Sequence, residues 1–324
     1  MTEALGELMT AEFGAGAIAF PVFNGTGSNV VSLAAACARW EAVICVETAH
    51  VHCDEGGAPE VVGGFKLWPL RCGPDGKLTP GLLRAALAGD RANVHRAQPG
   101  AVTIAQTTEL GTVYTPSEVA ALAAATHAAG LLLHMDGARL SNAAAALGLP
   151  FRAFTTDAGV DILSFGGTKI GAMGAEAIVL LPRDGGAPSP VLQRALPFMR
   201  KTCMQLASKQ RFLAAQLVAL LRDGLCVRLA THANAMAARL EAGIRGIPGV
   251  ILPTSCQANA VFPILPASVT ANLRAAGHRF YTWDEATGQV RLMTSWDTTE
   301  AHVDALVVAI RAVMTVATAA DQPE

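Results

Sequence analysis

Short apolar runs alternate with segments of helical spacing through the first two thirds of the chain. The segments between the runs predict helices, two of which we place from Ser28 onward and over 117–129. The runs that predict strands are AIAFPVF, AVICVE, FKLWPL, AVTIAQ, LLLHMD, DILSF and AIVLL. Strands that alternate with helices favour a mostly parallel sheet covered by helices on both faces. The sequence therefore predicts an α/β fold.

The pattern changes after the Gly/Pro-rich segment PRDGGAPSP. A long helical stretch over 192–221 follows it, and beyond about residue 223 we expect a helix, a strand at ANAVFPIL, a second helix and a strand at VRLMTSW. A chain of 324 residues is long enough for one large domain and a smaller one. We predict a large domain over 1–211 and a small α+β domain over 212–324.

Composition narrows the class of function. The net charge of −2 gives no positive field for nucleic acid or anionic lipid. No uncharged apolar run reaches membrane-spanning length, and the start MTEALGELMTAEFGAG lacks a signal-peptide pattern. The seven cysteines contain no CxxC pair, which argues against a disulfide framework or a structural zinc site. We therefore expect a cytoplasmic protein that acts on a small molecule.

The segment NGTGSN at 24–29 follows the first predicted strand and precedes a helix. Its glycines let backbone N–H groups turn toward an anion, and the helix N-terminus adds to the attraction, so the segment can hold a phosphate. A turn that only caps the helix is an equal alternative. The segment matches neither a Walker loop nor the GxGxxG fingerprint.

Two charged residues follow later predicted strands. Asp136 closes LLLHMD, at the carboxyl end where ligand sites of α/β folds gather. Its carboxylate can pair with a protonated ring nitrogen, although a lone aspartate there is more often a strand-end cap. Lys169 lies in SFGGTKIGA after DILSF. Most lysines are solvated, but the glycines and the lack of neighbouring charges favour a nucleophilic amine.

A histidine follows the second predicted strand, in ETAHVH. The imidazole of His50 can stack on an aromatic ring or transfer a proton near neutral pH, whereas taken singly it is more often a structural loop residue. A structural role is still more common for His52 and His134. Because His50 and His52 lie two residues apart and no third ligand suggests itself nearby, we expect no metal site.

Taken together, these motifs resemble the beta-eliminating lyase group of pyridoxal-phosphate (PLP) enzymes, most closely the low-specificity L-threonine aldolases. The resemblance spans nearly the whole chain and is carried by FNGTGSN, ETAHVHCDEGGAPE, NVHRAQPGAVTIAQTTELGTVYTPSEV, LLLHMDGARLSNA, DILSFGGTKIGAMGAEA, SKQRFLAAQ, QANAVF and VRLMTSW. It implies the aspartate-aminotransferase-like fold, PLP as cofactor, and a homodimer or homotetramer with the active site at a subunit interface.

The resemblance also implies roles in holding the cofactor. Lys169 matches the Schiff-base lysine, and Asp136 matches the partner of the pyridine nitrogen. Gly25 and Thr26 match the phosphate cradle, and His50 matches the histidine that stacks on the ring.

Further matches concern the substrate. Arg139, which we also count among the cofactor-binding residues, and Arg291 match the arginines that grip the substrate carboxylate. His95 matches a histidine near the substrate hydroxyl, and with His50 it is a candidate for the catalytic base. We expect Arg200 and Lys201 to form a solvated basic helix turn, with contact to a phosphate as the alternative.

The reaction that the resemblance implies is the retro-aldol cleavage of a β-hydroxy-α-amino acid, L-threonine or L-allo-threonine, to glycine and acetaldehyde. The alternatives are another lyase reaction of the same cofactor, such as β-elimination, and a non-catalytic subunit of the same fold. Family members also carry an N-terminal segment with a serine for the carboxylate site. The resemblance thus implies that substrate affinity, and with it activity, depends on a segment that the present sequence does not contain.

Overall fold

The computed structural model describes residues 1–89, 91–183 and 185–320. By compactness the chain forms two units, the first made of Met1–Glu109 and Val113–Val227 and the second of Leu110–Thr112 and the described part of Arg228–Glu324. The predicted domain ranges 1–211 and 212–324 divide the chain earlier and stay a prediction. The end of the second range, 321–324, lies outside the described residues.

A seven-stranded sheet forms the centre of the first unit. Its strands are β1 (Ile18–Val22), β2 (Glu41–Val46), β3 (Lys66–Leu70), β4 (Gln98–Ala105), β5 (Leu132–Gly137), β6 (Ile162–Phe165) and β7 (Glu176–Leu180). Their order across the sheet is β1-β7-β6-β5-β4-β2-β3, and β3, β2, β4, β5 and β6 run parallel. Only β7 runs against its neighbours β6 and β1. All seven strands coincide with predicted apolar runs, and the predicted α/β fold is confirmed.

Helices precede, connect or follow these strands. They are α1 (Thr2–Phe13), α2 (Gly25–Ala36), α3 (His50–Cys53), α4 (Pro80–Leu87), α5 (Pro116–Ala128), α6 (Leu140–Leu147), α7 (Pro190–Thr202) and α8 (Arg211–Leu221). The prediction of one continuous helix over 192–221 is wrong, because α7 ends at Thr202. Met204 then has a φ of 60°, which is outside the right-handed helical region.

Apolar side chains from the strands and helices form the core of this unit. The strand residues Ile44, Leu133 and Leu163 are completely buried. Near the end of β6, the rings of Phe13, Phe151 and Phe165 pack together with centroids 5.7–5.9 Å apart. Aromatic pairs at such distances add to the stability gained by burial alone. The cluster joins α1 to the strand that leads to Lys169.

The second unit contains a small antiparallel sheet. Its elements are α9 (Leu225–Ile244), whose first residues belong to the first unit, β8 (Ala260–Val261), α10 (Ala267–Ala275), β9 (Tyr281–Asp284), β10 (Gln289–Met293) and α11 (Glu300–Ala320). The strand order is β8-β10-β9, and Leu240, Leu273, Val290 and Ile310 form part of its core. The predicted strands at ANAVFPIL and VRLMTSW correspond to β8 and β10, whereas β9 was not predicted.

Two further observations concern the whole of the described chain. All seven cysteines are free thiols. Within residues 1–89, 91–183 and 185–320, no helix is both long and apolar enough to cross a membrane.

Candidate active site

Six of the eight predicted site residues lie at one edge of the large sheet. Strands β1, β2, β5 and β6 all end at this edge, because they run in the same direction. Directly at or after these strand ends lie Gly25, Thr26, His50, Asp136, Arg139 and Lys169. The carboxyl edge of a parallel sheet is where α/β folds bind ligands.

The turn that carries Lys169 is held against the end of β5. Backbone N–H groups of Gly167 and Thr168 donate to the carboxylate of Glu176, at 2.7 and 3.3 Å. A Cβ atom on Gly166 would lie 2.5 Å from the carbonyl oxygen of Ala138, so only glycine allows this approach. Lys169 itself is exposed. The glycines of SFGGTKIG thus bring the lysine next to Asp136.

The carboxylate of Asp136 is buried and held by three groups. Its Oδ1 accepts a hydrogen bond from the backbone N–H of Ala138 at 2.9 Å, and its Oδ2 accepts one from Nδ2 of Asn29 at 2.9 Å. Burial alone would raise the pKa of Asp136, but the ammonium of Lys169 and these hydrogen bonds hold it below its ordinary value. An ionised carboxylate at this position can pair with a protonated pyridine nitrogen.

The imidazole of His50 pairs with Glu55. Its Nδ1 lies 2.9 Å from Oε1 of Glu55, and about a third of the His50 side chain is exposed. The hydrogen bond to Glu55 raises the pKa of His50, against the effect of burial, and the charge of Asp136 acts in the same direction. Burial raises the pKa of Glu55, while its hydrogen bonds from His50 and Asn29 oppose that rise. Glu55 therefore fixes the orientation of the ring.

A third carboxyl group, that of Glu109, lies beside His50. Its Oε1 accepts a hydrogen bond from the backbone N–H of His50 at 3.1 Å. Burial, strengthened by the negative charge of Asp136, raises the pKa of Glu109 to about 7. This group can exchange a proton near neutral pH.

The N-terminus of α2 forms the predicted cradle. Oδ1 of Asn24 caps the helix by accepting from the backbone N–H of Gly27 at 2.7 Å. The first backbone N–H groups of a helix have no partner within it, so those of Gly25 and Thr26 point toward any anion bound there. Thr26 and Gly27 line a cavity of about 270 Å³, and a Cβ on Gly27 would overlap the side chain of Gln205.

The donor set at this edge fits PLP. A nucleophilic lysine, an ionised carboxylate, an imidazole and a helix N-terminus match the aldehyde, the ring nitrogen, the ring face and the phosphate of that cofactor. Buried polar atoms without a hydrogen-bond partner are rare in proteins and mark places for a ligand or water. Among the described residues, Oδ1 of Asn29, Oε2 of Glu55, Oε2 of Glu109 and Oγ of Ser28 are such atoms.

The surroundings of His50 differ from the sequence expectation that no third metal ligand lies nearby. Third ligands do lie near His50, because its imidazole and the carboxylates of Glu55 and Asp136 offer atoms within 4.8 Å of one another. The amide of Asn29, however, donates to both carboxylates, which makes the cluster a hydrogen-bonded network. That no metal binds here stays a prediction.

The structure does not bring His95 to this edge. His95 is exposed and precedes β4, at the amino end of the strand, where it lines a cavity of about 430 Å³ with Lys66 and Trp68. Ala105 at the other end of β4 pairs with Asp136. At about 3.3 Å per residue, His95 lies roughly 20 Å or more from Asp136 in the same chain.

The two predicted arginines lie in different units. Arg139 is half-buried and directly follows β5. Arg291 belongs to β10 in the second unit, where its guanidinium lies 5.3 Å from the centre of the Trp283 ring. Its role toward the substrate stays a prediction.

Two other basic residues and a further histidine were also considered from the sequence. Arg200 is buried and donates to the carbonyl of Pro21 at 3.2 Å, so its expected solvation is wrong, whereas Lys201 is exposed. His134 is fully buried between the hydroxyls of Thr103 and Ser164, and burial lowers its pKa to about 4. His134 is therefore a neutral structural residue.

Sequence reasoning missed three residues of this site, namely Asn29, Glu55 and Glu109. All three lie within the stretches FNGTGSN, ETAHVHCDEGGAPE and TTELGTVYTP that carry the family resemblance. The resemblance in those stretches could have indicated these residues. Their positions along the chain alone did not predict the hydrogen-bond partner of any of the three.

Comparisons with known proteins agree with this geometry. The family model described as beta-eliminating lyase matches residues 1–266. The chain is 45% identical over 296 residues to the low specificity L-threonine aldolase of Pseudomonas sp. (strain NCIMB 10558), covering 91% of this chain and 83% of that protein. It is 44% identical to the enzyme of the same name from Pseudomonas aeruginosa, with the same coverage. The structure of a threonine aldolase from Leishmania major superposes with a TM-score of 0.85 at 31% identity, covering 97% of this chain and 88% of that one.

The raised pKa of Glu109 predicts a pH dependence of stability. A carboxyl group whose pKa rises on folding, here from 4.5 to about 7, stabilises the fold fully below its unfolded pKa and loses that contribution as the pH rises through its folded pKa. Relative to the variant Glu109→Gln, the free energy of unfolding of the wild type should therefore fall between pH 4.5 and about 7. We expect a fall of up to about 3 kcal/mol.

Urea unfolding of the cofactor-free protein at a series of pH values measures this difference. The variant Glu3→Gln, which changes an exposed carboxyl group on α1, is the control and should follow the wild type. Parallel curves for wild type and Glu109→Gln would show that Glu109 keeps an ordinary pKa.

Proposed function

The chain belongs to the beta-eliminating lyase family, and from that premise we propose that it cleaves a β-hydroxy-α-amino acid such as L-threonine or L-allo-threonine to glycine and an aldehyde. The chain is an enzyme of the PLP-dependent lyase class. The observation that carries the proposal is the meeting of Lys169, Asp136 and the N-terminus of α2 at one edge of the sheet.

We propose that Lys169, Asp136, Gly25, Thr26 and His50 hold the cofactor. Lys169 would bind it through Nζ, and the ionised carboxylate of Asp136 would keep a proton on the ring nitrogen. The backbone N–H groups of Gly25 and Thr26 would hold the phosphate, and the imidazole of His50 would face the ring. When bound, PLP supplies an electron sink for the electrons of a broken bond at Cα.

The substrate carboxylate needs a planar cation that can donate two hydrogen bonds. We propose Arg139, which follows β5 three residues after Asp136, for this task, with Arg291 as its partner. Holding the carboxylate would fix the orientation of the substrate, and with it which bond at Cα breaks when the cofactor is bound. Aldol cleavage requires that this bond be Cα–Cβ.

His50 is our candidate for the base that removes the β-hydroxyl proton. With Glu55 ionised, Nδ1 of His50 donates to it, and Nε2 keeps the lone pair that accepts a proton. The hydroxyl proton thus passes to Nε2 while the aldehyde leaves. Glu109 accepts a hydrogen bond from the backbone N–H of His50 and is a further group that can take up a proton near neutral pH.

His95 remains the second candidate for the base. Because it lies at the opposite edge of the sheet from Asp136, it can act at this site only from a second copy of the chain. This placement supports a homodimer or homotetramer with the site at a subunit interface. We also propose a cytoplasmic location, which the free thiols support, since a reducing compartment keeps cysteines in this state.

A rival reaction breaks a different bond with the same cofactor. If Cα–H aligns with the π system, the products are those of β-elimination or racemisation, and no aldehyde is released. A non-catalytic subunit is disfavoured by family membership and by the complete donor set at the carboxyl edge.

The variant Lys169→Ala tests the proposed function. We expect the wild type loaded with PLP to release acetaldehyde and glycine from L-threonine or L-allo-threonine, and the variant to lose at least about a thousandfold in kcat, because the covalent anchor is gone. Lys77→Ala, which removes a lysine paired with Glu118, is the matched control and should remain active. PLP bound to Lys169 with consumption of the amino acid but no aldehyde would favour the rival reaction, and no bound PLP would contradict the proposal.

If His95 acts across an interface, Lys169→Ala and His95→Ala are each inactive alone, and mixing the two variants tests this role. In a dimer formed from Lys169→Ala and His95→Ala chains, one of the two sites regains both an intact lysine and an intact histidine. Random reassociation of equal amounts should then restore about a quarter of the wild-type activity per dimer. If the mixture stays as inactive as its components, His95 does not act from a second copy.

A further inference from the structure

One amide group links the two sides of the site. Nδ2 of Asn29 donates to Oδ2 of Asp136 at 2.9 Å and to Oε1 of Glu55 at 2.8 Å. The same Oε1 lies 2.9 Å from Nδ1 of His50. Because both neighbours of the amide are carboxylates, which accept hydrogen bonds, its nitrogen and not its oxygen must face them. A continuous hydrogen-bonded chain therefore runs from Asp136 to His50.

We propose that Asn29 is a positioning residue that couples the carboxylate holding the cofactor ring to the imidazole that takes up the substrate proton. The inference rests on the proposed function and deepens it. Asn29 is buried in α2, Asp136 ends β5, and Glu55 follows α3. A single side chain thus fixes the relative positions of groups from three elements.

The coupling works through the charge of Glu55. Burial favours the neutral form of Glu55, and the hydrogen bond from Asn29 favours its ionised form. Only the ionised form accepts from Nδ1–H of His50 and leaves Nε2 free to accept a proton. Loss of the Asn29 donor should therefore weaken the negative charge that holds His50 in this state.

The chemistry of the amide supports a positioning role over simple packing. Its Oδ1 is buried without a hydrogen-bond partner among the described residues, whereas Nδ2 serves two acceptors. An aspartate of nearly the same shape would place a third carboxylate beside the other two. The position therefore requires a neutral donor.

Four ionisable groups face His50 and enter any test by titration. The carboxylates of Glu55 and Asp136 raise the pKa of His50, and the ammonium of Lys169 lowers it. Glu109 contacts the backbone of His50, and the two groups interact electrostatically. A change at Asn29 leaves all four in place and removes only the hydrogen bonds that organise two of them.

An NMR titration of the His50 imidazole in the cofactor-free protein tests the coupling without relying on activity. The signal is assigned by its loss in His50→Gln. In Asn29→Ala we expect the pKa of His50 to fall by about half a unit to one unit. The reason is that Glu55 loses a hydrogen bond that favours its ionised form, and ionised Glu55 raises the pKa of His50. The control Ser32→Ala removes a buried hydroxyl from the same helix and should leave the titration unchanged. An unchanged titration in Asn29→Ala would overturn the proposal.

Two further measurements keep the test decisive. If Asn29→Ala does not fold, Asn29→Leu keeps nearly the size of the side chain, removes both hydrogen-bond donors and adds no charge, and the pKa of His50 should fall in it as in Asn29→Ala. In the PLP-loaded enzyme, the acidic limb of the kcat profile of Asn29→Ala should move to lower pH, with kcat reduced about tenfold and KM changed less than about threefold. If kcat falls equally in Asn29→Ala and Ser32→Ala, and the acidic limb of the kcat profile does not move, Asn29 has only a structural role. If the wild type releases no aldehyde, the proposed function fails, while the titration still decides the coupling.

Discussion

A buried, ionised carboxylate is the constraint on which the site depends. Asp136 is only 8% exposed at the end of a core strand, where an unpaired charge would cost several kcal/mol. The charge is tolerated because a backbone N–H, the amide of Asn29 and the ammonium of Lys169 stabilise it. These groups come from the end of β5, from α2 and from the turn after β6. The ends of three elements must therefore meet at one point.

The parallel direction of the strands brings the ends of these elements together. Parallel strands bring their following turns to a common edge, and the glycines after β6 allow the lysine turn to approach the end of β5. Glu176, on β7, then receives the backbone N–H groups of that turn. Because β7 runs antiparallel to β6, its first residue lies at the same edge. The antiparallel strand thus helps to hold the catalytic lysine.

Much of the fold could be predicted because most strands of the large sheet are apolar runs, and β2, β6 and β7 are buried along almost their whole length, as expected for strands covered on both faces. Asp136 and Lys169 could be found because each directly follows such a run. The sequence did not reveal three other residues of the site, because their contacts join distant parts of the chain. The amide of Asn29 donates to Glu55 and Asp136, and the carboxylate of Glu109 accepts from the backbone of His50. The break between α7 and α8 also escaped prediction, since the helical spacing continues on both sides of Met204. The resemblance supplied His95, but not the edge of the sheet on which it lies.

The central claim is that Lys169 holds PLP at the edge where Asp136 and His50 lie. Borohydride reduction of the PLP-loaded protein fixes the cofactor on the lysine that binds it, and peptide mapping by mass spectrometry then locates the label. The account predicts one labelled peptide, containing Lys169, and its loss when Asp136 is replaced by alanine and the cofactor is no longer retained. A label on Lys77, Lys201 or any other lysine, or no label on a folded protein saturated with PLP, would contradict it.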